Sequence, residues 1–172
     1  MIAFHNDQKI KKKYLDRVRK HYKLDEIVKG KYWEEGKGCA VGCTIHSNQH
    51  KRFESELGIP EWLARVEDTI FERLPNKRAK EWPLELLRSI KPGVDLNKIE
   101  APFVIFILES NLNNFVHDKY PDVLAAVNEC IRLYKLGDLA PSAAWSAAES
   151  AAWSATYVKF ADYLLKLIKE LK

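Results

Sequence analysis

Only one stretch of this 172-residue chain reads as a strand, and it has nothing to pair with. Phe103-Val-Ile-Phe-Ile-Leu108 carries the β-branched residues that suit a buried strand. A lone strand would leave its backbone N–H and C=O groups without a ladder. The run is therefore expected to be a buried helix, with Pro102 in its first turn. Elsewhere apolar residues recur every three or four positions between proline and glycine stops. The expectation is an all-α fold, a compact bundle of six or seven helices with a long Ala/Ser-rich C-terminal helix. One domain is expected over 1–172, with a motif-bearing core at 1–112 and C-terminal helices at 121–172 packing on it. Five Trp, seven Tyr and seven Phe can fill such a core without disulfide or metal staples.

The punctuation places the helices. Asn6 caps a first helix from Asp7 to Lys29, stopped by Gly30, with Ile10, Tyr14, Val18 and Ile27 inward. Tyr32 and Trp33 lie on a short connection, 31–37. A second helix runs from Gly38 to Leu57 and ends at Gly58. Pro60 opens a third, carrying Trp62, Leu63, Val66, Ile70, Phe71 and Leu74, and Pro75-Asn76 stops it. Pro83 starts a short fourth helix, and Pro121 to Leu136 forms a sixth, closed by Gly137. Four tetrads follow: Ser142-Ala-Ala-Trp145, Ser146-Ala-Ala-Glu149, Ser150-Ala-Ala-Trp153 and Ser154-Ala-Thr-Tyr157. They favour a last helix from Pro141 to about Leu171, with a seam of Trp153, Tyr157, Phe160, Leu164, Leu167 and Leu171. That helix either packs through its small residues or docks a protein partner or second copy through Trp145 and Trp153.

A net charge of +4 is too mild to argue for nucleic acid. Lys9, Lys11, Lys12, Lys13, Arg17, Arg19 and Lys20 concentrate positive charge on the first helix, which fits a solvated face before it fits an anionic partner. No apolar run approaches the roughly 20 residues of a membrane span. Met1 to Asp7 has no apolar core, so no signal peptide is expected. Three cysteines cannot all pair, and a reducing cytoplasm is the expected location.

The chemically richest stretch is Gly36-Lys-Gly38-Cys39-Ala-Val-Gly42-Cys43-Thr-Ile-His46-Ser47-Asn-Gln-His50. On a continuous helix, spacings of four, three and four put two thiols and two imidazoles on one side. This stretch, together with Tyr32-Trp33-Glu-Glu, Leu57-Gly58-Ile59-Pro60, Leu63-Ala-Arg-Val-Glu67-Asp68 and the opening Met1-Ile-Ala-Phe-His5-Asn6-Asp7, resembles a family of small uncharacterised bacterial and phage-associated proteins. The resemblance covers about residues 1 to 110 and implies no activity.

Three readings of the stretch stay open. As one zinc site on one helix the four fail, because Cys39 and His50 would lie about 16 Å apart at a rise of 1.5 Å per residue. His46 and His50 can still share a divalent ion such as zinc, completed by Glu67, Asp68 or Glu72 from the third helix. As a thiol enzyme, Cys39 at a helix start or Cys43 beside His46 would be the nucleophile of a hydrolase or transferase. As neither, the cysteines pack as small hydrophobes, and Tyr32, Trp33, Gly38, Ser47 and His46 line a pocket for a small anionic or aromatic ligand. The preferred expectation is this helical ligand-binding or protein-interaction protein. His5, His21 and His117 are expected on the surface, and Cys130 as packing.

Overall fold

The computed structural model describes residues 1–112, 121–137 and 154–172. Among them are eight α-helices: α1 (Gln8–Lys23), α2 (Ala40–Ile45), α3 (Arg52–Leu57), α4 (Glu61–Arg73), α5 (Asn76–Ser89), α6 (Glu100–Leu112), α7 (Pro121–Leu136) and α8 (Ser154–Glu170). The strand content is one antiparallel hairpin, β1 (Trp33–Glu34) and β2 (Lys37–Gly38), which pairs Trp33 with Gly38 and Glu34 with Lys37. The all-helical class is therefore as expected, and Phe103–Leu108 is helical. No helix among the described residues is long and apolar enough to cross a membrane.

The chain forms two compact units, one of Met1–Asn97 with Ser154–Lys172 and one of Lys98–Trp153. In the first, α4 and α5 pack on one another and on α8, while α1 lies against α5 and α2. Its core holds Tyr14, Val18, Phe53, Leu63, Ile70, Phe71, Trp82, Leu87, Phe160 and Leu164, all at most 2% exposed. Burying each contributes on the order of 1.5–3 kcal/mol. Trp82 Nε1 donates to the Glu67 carbonyl at 3.1 Å, so the largest core ring brings no unmet donor. In the second unit α6 packs on α7, with Lys135 paired to Glu109 at 3.1 Å.

Several expected boundaries move for identifiable reasons. The cap of α1 is Asp7, not Asn6: its carboxylate accepts from Lys9 N at 2.7 Å. The helix stops at Lys23 because Asp25 turns into the left-handed region (φ 55°), long before Gly30. Pro83 lies inside α5 rather than at its start. An internal proline costs on the order of 3 kcal/mol, and the buried Trp82, Leu84, Leu86 and Leu87 around it offset that cost. The second helix breaks in two. His46 takes the left-handed conformation (φ 54°, ψ 44°) and ends α2, and the chain resumes helix only at Arg52. Gly58 then closes α3 as expected.

On α8 the buried face is Tyr157, Phe160, Ala161, Leu164, Leu165 and Ile168. Leu167 and Leu171 are only half-buried, so the seam is rotated from the expected one. Trp145, Glu149, Trp153, His117 and the tetrads through residue 153 lie outside the described residues.

Candidate functional site

The break at His46 decides the geometry of the site. With α2 ending there, His46 and His50 no longer share a helix face. His46 turns toward α1, and its ring stacks on Trp33 (centroids 4.2 Å, interplanar angle 13°). His50 turns toward α4: its Nε2 lies 3.6 Å from Asp68 Oδ2, and Tyr32 meets its ring edge-on at 5.8 Å. Glu72 is also taken up elsewhere, accepting from Gly30 N at 3.1 and 3.2 Å. Among the described residues, no group of three or more His, Cys, Asp or Glu side chains is placed to hold a metal ion.

The thiols are embedded in backbone. Cys39 N donates to the Lys31 and Tyr32 carbonyls, and its sulfur caps α2 by accepting from Gly42 N at 3.4 Å. Cys43 Sγ donates to the Gly38 carbonyl at 3.3 Å. Both side chains are essentially inaccessible, at 1% and 0% exposure. Burial pushes the Cys39 thiol far above its ordinary range, and the Asp68 carboxylate beside it acts in the same direction. Burial likewise pushes Cys43 up to about 12. A thiol that is buried and held protonated is a poor nucleophile. The glycines of the motif have a packing reason. A Cβ on Gly38 would fall 2.1 Å from the Tyr32 carbonyl oxygen, and one on Gly42 only 1.5 Å from it. The motif thus lets the hairpin's backbone lie directly on the start of α2.

Glu67 and Asp68 part company on α4. Glu67 is fully buried, and neither carboxylate oxygen has a hydrogen-bond partner. Desolvation, then the neighbouring Asp68 charge, raise its pKa well above the ordinary carboxylate value, which favours its neutral form.

A residue expected on the surface proves to be central. His21 is 7% exposed. Its Nδ1 lies 2.6 Å from Glu26 Oε2, and its Nε2 lies 2.9 Å from His46 Nε2. Its edge also meets the Trp33 ring at 5.4 Å. Glu26 can reach it because the turn at Asp25 sends the chain back along α1, where Glu26 N donates to the His21 carbonyl at 3.0 Å. The strip is then pinned to the motif: Gly38 N donates to the Glu26 carbonyl and Val28 N to the Gly38 carbonyl. Carboxylate, imidazole and imidazole thus form one hydrogen-bonded chain.

His46 ends that chain at a cleft of about 470 Å³, which is lined also by Ile10, Lys13, Tyr14, Arg17, Ile45, Arg52 and Glu56. Three of these side chains are cations and one is a carboxylate. Arg52 and Tyr14 both donate to Glu56, at 2.5 and 2.6 Å. Arg17 donates to the Thr44 carbonyl at 2.8 Å and lies over the Tyr14 ring; Lys13 lies over the same ring. Neither Lys13 nor Arg17 pairs with a carboxylate among the described residues. Partial desolvation against its neighbours, then the charges of Arg17, His21 and Arg52, pull His46 down to about 4. Its ring is therefore neutral at pH 7. A second cleft, of about 490 Å³, gathers Tyr32, Trp33 and Ser47 with Gly30, Lys31, Glu34 and Asn48. Three of the five residues expected to line a ligand pocket thus meet, while His46 and the buried Gly38 are not among the lining residues.

No protein-family model matches the chain, and neither a curated protein nor a solved structure matches it.

Sequence reasoning passed over Glu26 and Arg52, placed His21 on the surface, and read Lys13 and Arg17 as part of a solvated basic face. The available signal was weak. His21 and Tyr14 fall seven apart on α1, with Arg17 between them, on the side where Val18 is buried. Nothing local announces that Glu26 folds back.

Proposed function

We propose that this chain is a small helical protein that binds a small anionic molecule in the cleft of Lys13, Arg17, Arg52 and His46. The observation that carries the reading is the excess of cations in the cleft: Lys13, Arg17 and Arg52 face one carboxylate, Glu56, and Glu56 is bonded to Arg52 and Tyr14 rather than to Lys13 or Arg17. Surface lysines and arginines usually extend into water. Here Lys13 and Arg17 both lie over the Tyr14 ring, and Arg17 is also held by the Thr44 carbonyl, which lowers the ordering cost of binding. The Trp33–His46 stack and the Tyr14–Glu56–Arg52 bonds fix the walls in the same way. The expected role of the cysteines passes to these side chains, and Cys39 and Cys43 serve the scaffold.

The test is binding of sulfate and of inorganic phosphate, followed by calorimetry at matched ionic strength with chloride as the reference anion. Saturable binding is expected to weaken about tenfold or more in Arg17→Gln or Lys13→Gln, the loss of one charge-assisted contact. It is also expected to weaken as salt screens the open cleft. Binding that is indifferent to both substitutions would refute the reading.

A further inference from the structure

The cleft carries net positive charge and ends on a ring that is itself backed by a second ring and a carboxylate. From that arrangement we propose that the ligand is a dianion of the phosphate or phosphomonoester class, and that its seating drives a proton onto His46, with His21 and Glu26 as positioning residues. The proposal rests on the anion-cleft reading and goes one step past it.

Hydrogen-bond accounting gives the proton a place. Glu26 can only accept, so His21 Nδ1–H donates to it at 2.6 Å. In the tautomer that leaves His21 Nε2 its lone pair, His46 Nε2–H donates to it at 2.9 Å. The one ring nitrogen of His46 left with a lone pair is Nδ1. A proton that arrives there makes His46 an imidazolium whose Nε2–H still points at His21, with the Glu26 charge behind it. No bond in the chain has to be broken for His46 to charge.

The groups facing His46 decide when this happens. From α1 come Arg17 and His21, with Lys13 and Tyr14 along the cleft. From α3 come Arg52 and Glu56, and from the segment after α1 comes Glu26 through His21. In the empty cleft, Arg17 and Arg52 oppose a charge on His46, in keeping with its low proton affinity. The three cations against Glu56 leave two net positive charges. A bound dianion cancels both and presents a negative charge to His46, so the opposition becomes attraction. A monoanion cancels only half. That difference selects a phosphate-type dianion over a carboxylate.

Sulfate is the probe, because its charge does not change between pH 5 and 8 and any proton taken up belongs to the protein. The His46 ring resonance is followed by NMR over that range without and with saturating sulfate. Calorimetry in two buffers of different ionisation enthalpy counts the protons. The His46 pKa is expected to rise by about two units or more, toward the ordinary histidine value of about 6.5. Roughly half a proton or more should be taken up per sulfate near pH 6, and none in His46→Gln, whose sulfate binding should be weaker at pH 6 and lose its dependence on pH. His21→Gln is expected to keep sulfate binding while reducing the rise. Sulfate binding at the cleft with the His46 pKa unmoved would overturn this inference and leave the anion cleft standing. Absence of saturable sulfate binding would overturn both. An equal rise with acetate would overturn the assignment of a dianion.

Discussion

At the scale of single residues, the chain keeps two kinds of titratable group out of their usual charge states. Glu67 favours its neutral form because nothing around it can compensate a charge. Its folded pKa is raised, so above the ordinary value the unfolded chain gives up a proton that the folded chain keeps. Stability therefore falls as pH rises through and above about 4.5, at up to about 1.4 kcal/mol per pH unit, until the folded pKa is reached. Glu67→Gln is expected to remove that slope, leaving the variant more stable than wild type at pH 8 by a larger margin than at pH 5. Urea unfolding at the two pH values measures it, and parallel curves for both proteins would refute it. His46 has the opposite sign. Its folded pKa is lowered, so in the absence of ligand it contributes stability at neutral pH that is lost as pH falls from about 6.5 toward about 4. The thiols make a third case. Cys39 and Cys43 are inaccessible and Cys130 is half-buried, so a disulfide reagent should titrate Cys130 well before the other two in the native protein and all three in denaturant. Rapid modification of Cys39 or Cys43 under native conditions would contradict this.

At the scale of elements, the motif Gly36–His50 is a joint. Gly38 and Gly42 admit the Tyr32 carbonyl, Cys39 caps α2, and His46 ends it seven residues later. Gly42→Ala sets a better helix former against a direct clash with backbone. The propensity gain of about 1 kcal/mol is outweighed by a Cβ that would sit 1.5 Å from an oxygen. We expect a net loss of at least about 2 kcal/mol by chemical denaturation, and an unchanged midpoint would show that the hairpin does not lie where it is described. This joint also marks the limit of what could be read from the sequence. The stops at Gly58 and Gly137, the helical nature of Phe103–Leu108 and the bounds of α7 followed from proline, glycine and apolar spacing. The break at His46 did not, because Thr44-Ile45-His46-Ser47 carries neither proline nor glycine and keeps helical spacing through Phe53. What ends α2 is tertiary: the His46 ring is drawn to Trp33 and His21, which lie 13 and 25 positions away in the chain. Periodicity could place His46 and His50 on one face, but it could not see which partners would compete for them.

At the scale of the whole molecule, the two ends of the chain meet in one unit, because α8 packs on α4 and α5. Arg78 pairs with Asp162 at 2.9 Å, and Lys91 Nζ donates to the Leu171 carbonyl at 3.4 Å. The last helix is thus part of the core that supports α5, against which α1 and its cleft cations are set. Leu164→Ala at this fully buried position is expected to cost about 2–5 kcal/mol in urea unfolding, where a loss below about 0.5 kcal/mol would mean that α8 is not docked. The placing of the cleft on that frame is the claim on which the functional account depends. A sulfate titration read residue by residue in the amide and arginine side-chain NMR spectrum tests it most directly. The account predicts saturable shifts concentrated at Lys13, Arg17, Ile45, His46 and Arg52, with chloride at equal ionic strength producing none. Shifts scattered over lysines and arginines elsewhere on the surface, or centred on another region, would contradict it.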